Sequence, residues 1–162
     1  MSGRSRRSTK NIEFVPSSIS PVAVALGELR VAGAGWLNLL PGVPEDAVDP
    51  DPPGLFAIFG SRASPVTMTT LVPPRADRRG VEGVSVGLLH PTGPRAVARL
   101  AEAGVDVPPT WTVRQDHARR GLLLRTDTEG SDEEIVRWGV AAGTALCRME
   151  MTGRWRAVVY LP

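Results

Sequence analysis

The sequence predicts an α+β domain in which a largely antiparallel sheet of about five to six strands carries helices on one face. Three segments repeat apolar residues at helical spacing, and short runs rich in β-branched residues lie between them. These strand-like runs occur in groups joined by short polar links, which is typical of antiparallel pairing. The predicted order of elements is α-β-β-β-α-β-β-α-β.

Composition favours one soluble domain preceded by a basic arm. Of the 162 residues, 42% are hydrophobic and 22% charged, as in ordinary globular proteins. Residues 1–18 are rich in Ser and Arg and lack periodicity, so we expect a flexible basic arm there. Residues 19–162 are then predicted to form a single domain, because this length suits one hydrophobic core.

The chain shows no signal for a membrane. No apolar run approaches the ~18 residues that a membrane-spanning helix needs. The basic start leads into a polar stretch that Pro16 interrupts, which is unlike the apolar region of a signal peptide. We therefore expect a cytoplasmic protein without a membrane partner.

The first helix is predicted from Ser20, with Pro21 in its first turn and apolar residues such as Leu26 and Leu29 at helical spacing. Residues 36–40 are interpreted as a second helical turn or an irregular apolar segment that Pro41 ends. Residues 43–54 hold four Pro and four acids, which predicts an extended acidic surface loop.

The rest of the chain alternates strands and helices. Strands are predicted over residues 54–60, 66–72 and 84–90, followed by a helix that Pro94 opens and Gly104 ends. Two strands follow within residues 110–126, around a turn at residues 118–121, and a final strand covers residues 154–162.

The helix predicted over residues 132–147 is the clearest element. Ser131 and Glu134 form a capping box at its start. Its apolar positions cover most of its circumference, which predicts burial on two sides, against the sheet and against something else.

This order of elements resembles the small α+β folds of type III secretion chaperones and some related bacterial regulatory domains. The resemblance is one of topology alone, and no motif accompanies it. A shared topology implies no function by itself.

The leading functional hypothesis is a non-catalytic, cytoplasmic bacterial module that acts through protein contacts, as a regulatory or chaperone-like adaptor and as a homodimer. The wide apolar surface of the 132–147 helix and the lack of convergent catalytic residues motivate it. The unexplained cluster around Trp36 adds a possible partner surface. The predicted interface residues are Trp36, Leu37, Leu40, Val136 and Val140.

The first alternative is a nucleic-acid-associated protein. Its 19 basic residues are 18 Arg and Lys10, and Arg forms bidentate contacts with phosphate. GC-rich coding explains the same bias, and it indicates a high-GC bacterial source. A basic patch requires the 110–126 hairpin and the last strand to be neighbours. The predicted nucleic-acid-binding residues are Arg4, Arg6, Arg7, Arg119, Arg120, Arg154 and Arg156.

The second alternative is a small-molecule-binding domain or enzyme with a pocket formed by His90, Arg95 and His117. His90 precedes a helix start, where backbone N–H groups and Arg95 favour an anion. Asp116 and His117 are adjacent on a strand and therefore point to opposite faces, which disfavours a catalytic pair. No nucleophile motif is present, and two His with one Cys predict no metal site, so we expect neither catalytic residues nor a cofactor.

Overall fold

The computed structural model describes residues 8–49 and 64–162, which form seven strands and three helices. The elements are listed here in chain order with their bounds: β1 (Thr9–Phe14), α1 (Ser20–Ala32), β2 (Trp36–Pro41), β3 (Met68–Val72), β4 (Ser85–Leu89), α2 (Ala96–Glu102), β5 (Thr112–His117), β6 (Gly121–Arg125), α3 (Asp132–Leu146) and β7 (Trp155–Tyr160). A short 3-10 turn at Ala76–Arg78 precedes β4.

The strands form one antiparallel sheet in the order β1-β7-β2-β3-β4-β6-β5. The mixed α+β class is therefore confirmed, with seven strands where five to six were predicted. The helix α3 lies between α1 and α2, and it also contacts the three central strands β2, β3 and β4. All three helices consequently share one face of the sheet.

Two strands were not predicted. Residues 9–14 belong to the segment assigned to the flexible arm, yet they pair along their length with β7. Residues 36–41, interpreted as a helical turn or irregular segment, form β2 because Leu37 and Leu39 alternate with half-buried side chains and are fully buried. The strand predicted over residues 54–60 lies outside the described residues.

The starts of α3 and α2 are capped in different ways. Ser131 caps α3 as predicted, since its hydroxyl accepts a hydrogen bond from the N–H of Glu134. The start of α2 is instead capped by a residue of β5. Asp116 accepts hydrogen bonds from the N–H groups of Ala96 (3.0 Å) and Val97 (3.1 Å).

The core lies between the helices and the inner face of the sheet. At its centre α3 approaches β3 closely. The buried hydroxyls of Thr67 and Thr69 donate hydrogen bonds to the carbonyls of Gly143 and Gly139, at 2.7 and 3.2 Å. Glycine at these two helix positions leaves room for the contact, because a Cβ on Gly143 would lie 2.9 Å from the Trp155 ring.

Candidate functional site

The face of the sheet turned away from the helices is the strongest candidate for a functional surface. We call it the outer sheet face. Its side chains alternate along each strand with those of the core. Its larger apolar members are Trp36, Leu40, Met68, Val72, Leu89, Leu123, Val158 and Tyr160.

Three of these side chains are exposed by more than a third. Val72 is 41% exposed, Leu89 44% and Leu123 38%, whereas buried core residues flank each of them along its strand. Apolar side chains of this size scattered singly on a surface are ordinary, but here they occupy neighbouring strands of one sheet. The outer sheet face therefore carries exposed apolar side chains on several neighbouring strands.

An aromatic pair stands on one part of this face. Trp36 on β2 and Tyr160 on β7 are register partners, and their rings stack with centroids 4.7 Å apart and planes inclined by 13°. Cross-strand aromatic pairs of this kind stabilise antiparallel sheets. The pair gives the face a rigid, flat apolar element.

The middle of the face is polar and slightly hollow. The Thr70 hydroxyl donates a hydrogen bond of 2.8 Å to the Asn38 side-chain oxygen across β3 and β2. Gly87 is the register partner of Thr70 on β4, and a Cβ there would meet its nearest atom only at 3.9 Å. The missing side chain leaves a shallow notch between apolar neighbours.

The charged side chains near this face have oppositely charged neighbours. Arg156 lies opposite Glu13 in the pairing of β7 with β1. Arg125 forms an ion pair with Glu82 at 2.8 Å, and hydrogen bonding to Arg78 is the main reason that the pKa of the Glu82 carboxyl is lowered. The outer sheet face thus combines apolar side chains around a polar, uncharged middle with locally balanced charge.

The predicted partner interface divides between the two sides of the sheet. Leu37, Val136 and Val140 are buried in the core, so they are not available as a surface. The larger apolar side chains of α3 are covered within this chain, because the sheet lies beneath the helix and α1 and α2 lie beside it. Trp36 and Leu40 lie on the outer sheet face.

The imidazole of His90 is buried at the end of β4. Its Nδ1 lies 2.9 Å from the Thr92 hydroxyl, and its buried Nε2 has no hydrogen-bond partner among the described residues. Burial lowers the pKa of His90; the nearby Asp116 carboxylate opposes this effect, and Arg99 adds to it. His90 is therefore a neutral core residue at neutral pH.

The three predicted ligand-binding residues make separate contacts. Arg95 occupies the position just before α2 in the left-handed conformation with φ of 66°, makes no side-chain cap, and borders a surface depression with Arg99. The Nδ1 of His117 accepts hydrogen bonds from the N–H groups of Arg119 and Arg120 within the β5–β6 turn. The anion position at the start of α2 is already filled by Asp116. The three side chains thus have different partners, and a pocket shared by them stays a prediction.

The β5–β6 hairpin contains an irregularity that the simple alternation did not anticipate. The pairing register shifts between Val113 and Gln115, so that Val113 lies opposite Leu124 and Gln115 opposite Leu123. Asp116 is directed to α2, and His117 caps the turn. The two adjacent residues have separate structural roles, as the alternation predicts for Asp116 and His117.

The predicted basic patch is not continuous. Its condition was that the hairpin lies next to the last strand, but β7 and β6 are four strand spacings apart, or about 19 Å. Arg119 and Arg120 are therefore separated from Arg154 and Arg156 by most of the sheet. Arg4, Arg6 and Arg7 lie outside the described residues.

In residues 8–49 and 64–162, no group of three or more His, Cys, Asp or Glu side chains is arranged to hold a metal ion. Over the same ranges, none of the helices has the length and apolar character to cross a bilayer.

Comparison with known proteins finds no matching family model, no curated protein with significant sequence similarity and no solved structure with significant similarity.

Sequence reasoning missed most of the outer sheet face. One signal was present in the run Leu122–Leu123–Leu124, because a strand with only one buried face needs apolar residues only at alternate positions. Leu123 lies on the second face of the strand, where this pattern does not require an apolar residue. The same holds for Val72 and Leu89, which follow Leu71 and Leu88 directly and extend apolar character to the second face.

Proposed function

We propose that this protein is a protein-binding module that associates with a second copy of itself through the outer sheet face. The observation that carries the proposal is the apolar character of that face on the side away from the helices. The proposal keeps the homodimer expected from the sequence, but it moves the interface from α3 to the sheet.

The chemistry of the face favours protein over nucleic acid. Its exposed residues include Val72, Leu89 and Leu123, and aliphatic side chains do not neutralise phosphates. The nearby cations Arg125 and Arg156 have acidic neighbours. Such a surface is suited to another apolar surface.

The size of the face suits a modest dimer. Six strand spacings across and strands of five to six residues give a projected area of roughly 500 Å² for each copy. Two copies together would cover about 1,000 Å², which is at the lower limit for specific interfaces. Two sheets packed face to face at about 10 Å would form a sandwich. We therefore expect a dimer whose population depends on concentration.

Self-association is also compatible with the charges. A two-fold interface brings the same patch of both copies together, so any unbalanced charge would be doubled there. The pairing of Arg125 with Glu82, and the position of Glu13 opposite Arg156, limit that repulsion. The centre of the patch is uncharged.

Sedimentation equilibrium of the purified protein over roughly a hundredfold concentration range tests the proposal. We expect the wild type to shift from monomer to dimer, and Leu123→Glu and Val72→Glu to remain monomeric. Val24→Glu and Val31→Glu are the matched controls, because both valines are well exposed on α1, on the other side of the molecule. Circular dichroism would establish that each variant folds.

Two results would contradict the proposal. A wild type that stays monomeric over the whole range would exclude association with a second copy. A dimer that persists in both outer-face variants would show that copies meet through another surface.

A further inference from the structure

A groove lies on the helical side of the molecule, along the outer surface of α3. It has a volume of about 470 Å³, within the range of small-molecule sites in proteins. The turn after β1 forms one wall, and the segment that follows α2 forms another. The lining residues are Pro16, Ala103, Val105, Arg137, Val140, Ala141, Thr144 and Ala145.

The lining is apolar except at two positions. The Thr144 hydroxyl donates a hydrogen bond of 2.8 Å to the Val140 carbonyl inside the same helix, so its proton is already used. Arg137 is then the one charged side chain among the lining residues. Specific ligand sites combine such apolar walls with a few polar groups that fix the orientation of the ligand.

The Arg137 guanidinium is available for a ligand. Its closest carboxylate oxygen, on Glu133, lies 3.9 Å from Nη2, which is too long for a hydrogen bond. The two side chains are 66% and 55% exposed, so their attraction is weak and easily exchanged for another anion. A guanidinium binds a carboxylate through two parallel hydrogen bonds.

The groove is elongated along the helix. The lining positions on α3 run from Arg137 to Ala145, and at 1.5 Å per residue they span about 12 Å. Arg137 stands at the N-terminal end of this span. A ligand that follows the groove would therefore have its charged end at Arg137 and its apolar part over Ala141 and Ala145.

We propose that this groove binds a linear fatty carboxylate of medium chain length, with the carboxylate on Arg137 and the acyl chain along α3. The charge of Arg137 selects an anionic head group, and the apolar walls select the chain. This site is independent of the proposed dimer, because it lies on the helical side and the outer sheet face lies opposite.

Isothermal titration calorimetry with sodium decanoate, below its micelle-forming concentration, tests the proposal. We expect saturable one-to-one binding that strengthens by up to about fifteenfold for each two methylenes from octanoate to laurate. Decyltrimethylammonium has the same chain with a cationic head, and we expect it to bind at least about tenfold more weakly.

Two substitutions locate the site. We expect Arg137→Gln to weaken decanoate binding about tenfold, whereas Arg99→Gln, which removes an exposed arginine of α2, leaves it unchanged. Ala141→Phe fills the middle of the groove and should abolish binding. If that variant does not fold, chemical-shift changes of the wild-type amides on decanoate addition replace it, and we expect them around Ala141 and Val105.

Three results would overturn the proposal. The first is the absence of saturable binding by the wild type. The second is equal binding of decanoate and decyltrimethylammonium, which would indicate general adsorption to apolar surface. The third is binding that Arg137→Gln leaves unchanged, or shift changes confined to the outer sheet face.

Discussion

Asp116 on β5 accepts a hydrogen bond from the backbone N–H of Ala96, the first residue of α2, at 3.0 Å. Its second carboxylate oxygen accepts the next N–H, that of Val97, at 3.1 Å. A negative charge at this position satisfies two helix donors and interacts favourably with the helix dipole. Asp116 is therefore a helix cap supplied by a strand, and it does not pair with His117.

Removing this cap should destabilise the protein. We expect Asp116→Ala to lower the free energy of unfolding by about 1–2 kcal/mol, because two amides lose their acceptor. Asp116→Asn keeps one side-chain oxygen, so it should lower the free energy of unfolding by less. Urea denaturation measures both effects, and Glu150→Ala, which truncates an exposed carboxylate, is the control. Equal stability of Asp116→Ala and the control would contradict the capping role.

The buried His90 should make stability depend on pH. Its pKa is lowered in the folded protein by burial, so the unfolded chain takes up a proton more readily, near the ordinary value of 6.5. The free energy of unfolding should therefore decrease as the pH falls from about 7.5 to 5.5. Urea denaturation at several pH values checks this.

The matched variants for this experiment are His90→Gln and His117→Gln. The first removes the buried imidazole and should flatten the dependence over this pH range. The second removes the other histidine of the chain, an exposed imidazole that caps a turn, so that the effects of the two histidines can be compared. If His90→Gln retained the full slope, another group would be responsible.

The approach of α3 to the sheet depends on Gly143. A methyl group there would lie 2.9 Å from the buried Trp155 ring and 3.3 Å from the Thr67 hydroxyl oxygen. We expect Gly143→Ala to cost about 1–3 kcal/mol through overpacking, despite the better helix propensity of alanine. Gly87→Ala is the control, since its Cβ would make only ordinary van der Waals contact, with Thr70 at 3.9 Å, and its change in the free energy of unfolding should lie within about 0.5 kcal/mol of zero. Thermal denaturation distinguishes the two variants.

One ion pair connects α1 with α3. Arg30 Nη1 lies 2.7 Å from Asp132 Oδ1, and it also donates to the Gly130 carbonyl at 3.0 Å. A double-mutant cycle with Arg30→Met and Asp132→Asn should give a coupling of about 1 kcal/mol, because the pair is partly buried. The same cycle at Arg137 and Glu133 should give a coupling of at most about 0.3 kcal/mol, because both side chains are exposed. Similar values at both sites would contradict this ranking.

The sequence predicts those elements whose signals are local. The capping serine of α3, its apolar periodicity and the turn between β5 and β6 all lie within short windows, and each appears in the structure. By contrast, β1 has only Ile12 and Phe14 as apolar residues. Its strand conformation depends on pairing with β7, which lies at the other end of the described chain.

The candidate surface is harder to predict than the fold for a related reason. Apolar residues on the outer sheet face look the same in sequence as residues of the core, and only the placement of the helices separates the two groups. Val136 and Val140 were assigned to an interface because α3 is apolar around most of its circumference. The structure buries them, since α3 is the central helix of three.

The position of β7 between β1 and β2 has a consequence for hydrogen exchange. In the described sheet β1 pairs with β7, and its other edge has no strand, so its amides keep their partners only while β7 stays in place. Opening of β7 would expose β1 and one edge of β2 at the same time. The amides of residues 9–14 should therefore never be protected for longer than those of residues 155–160.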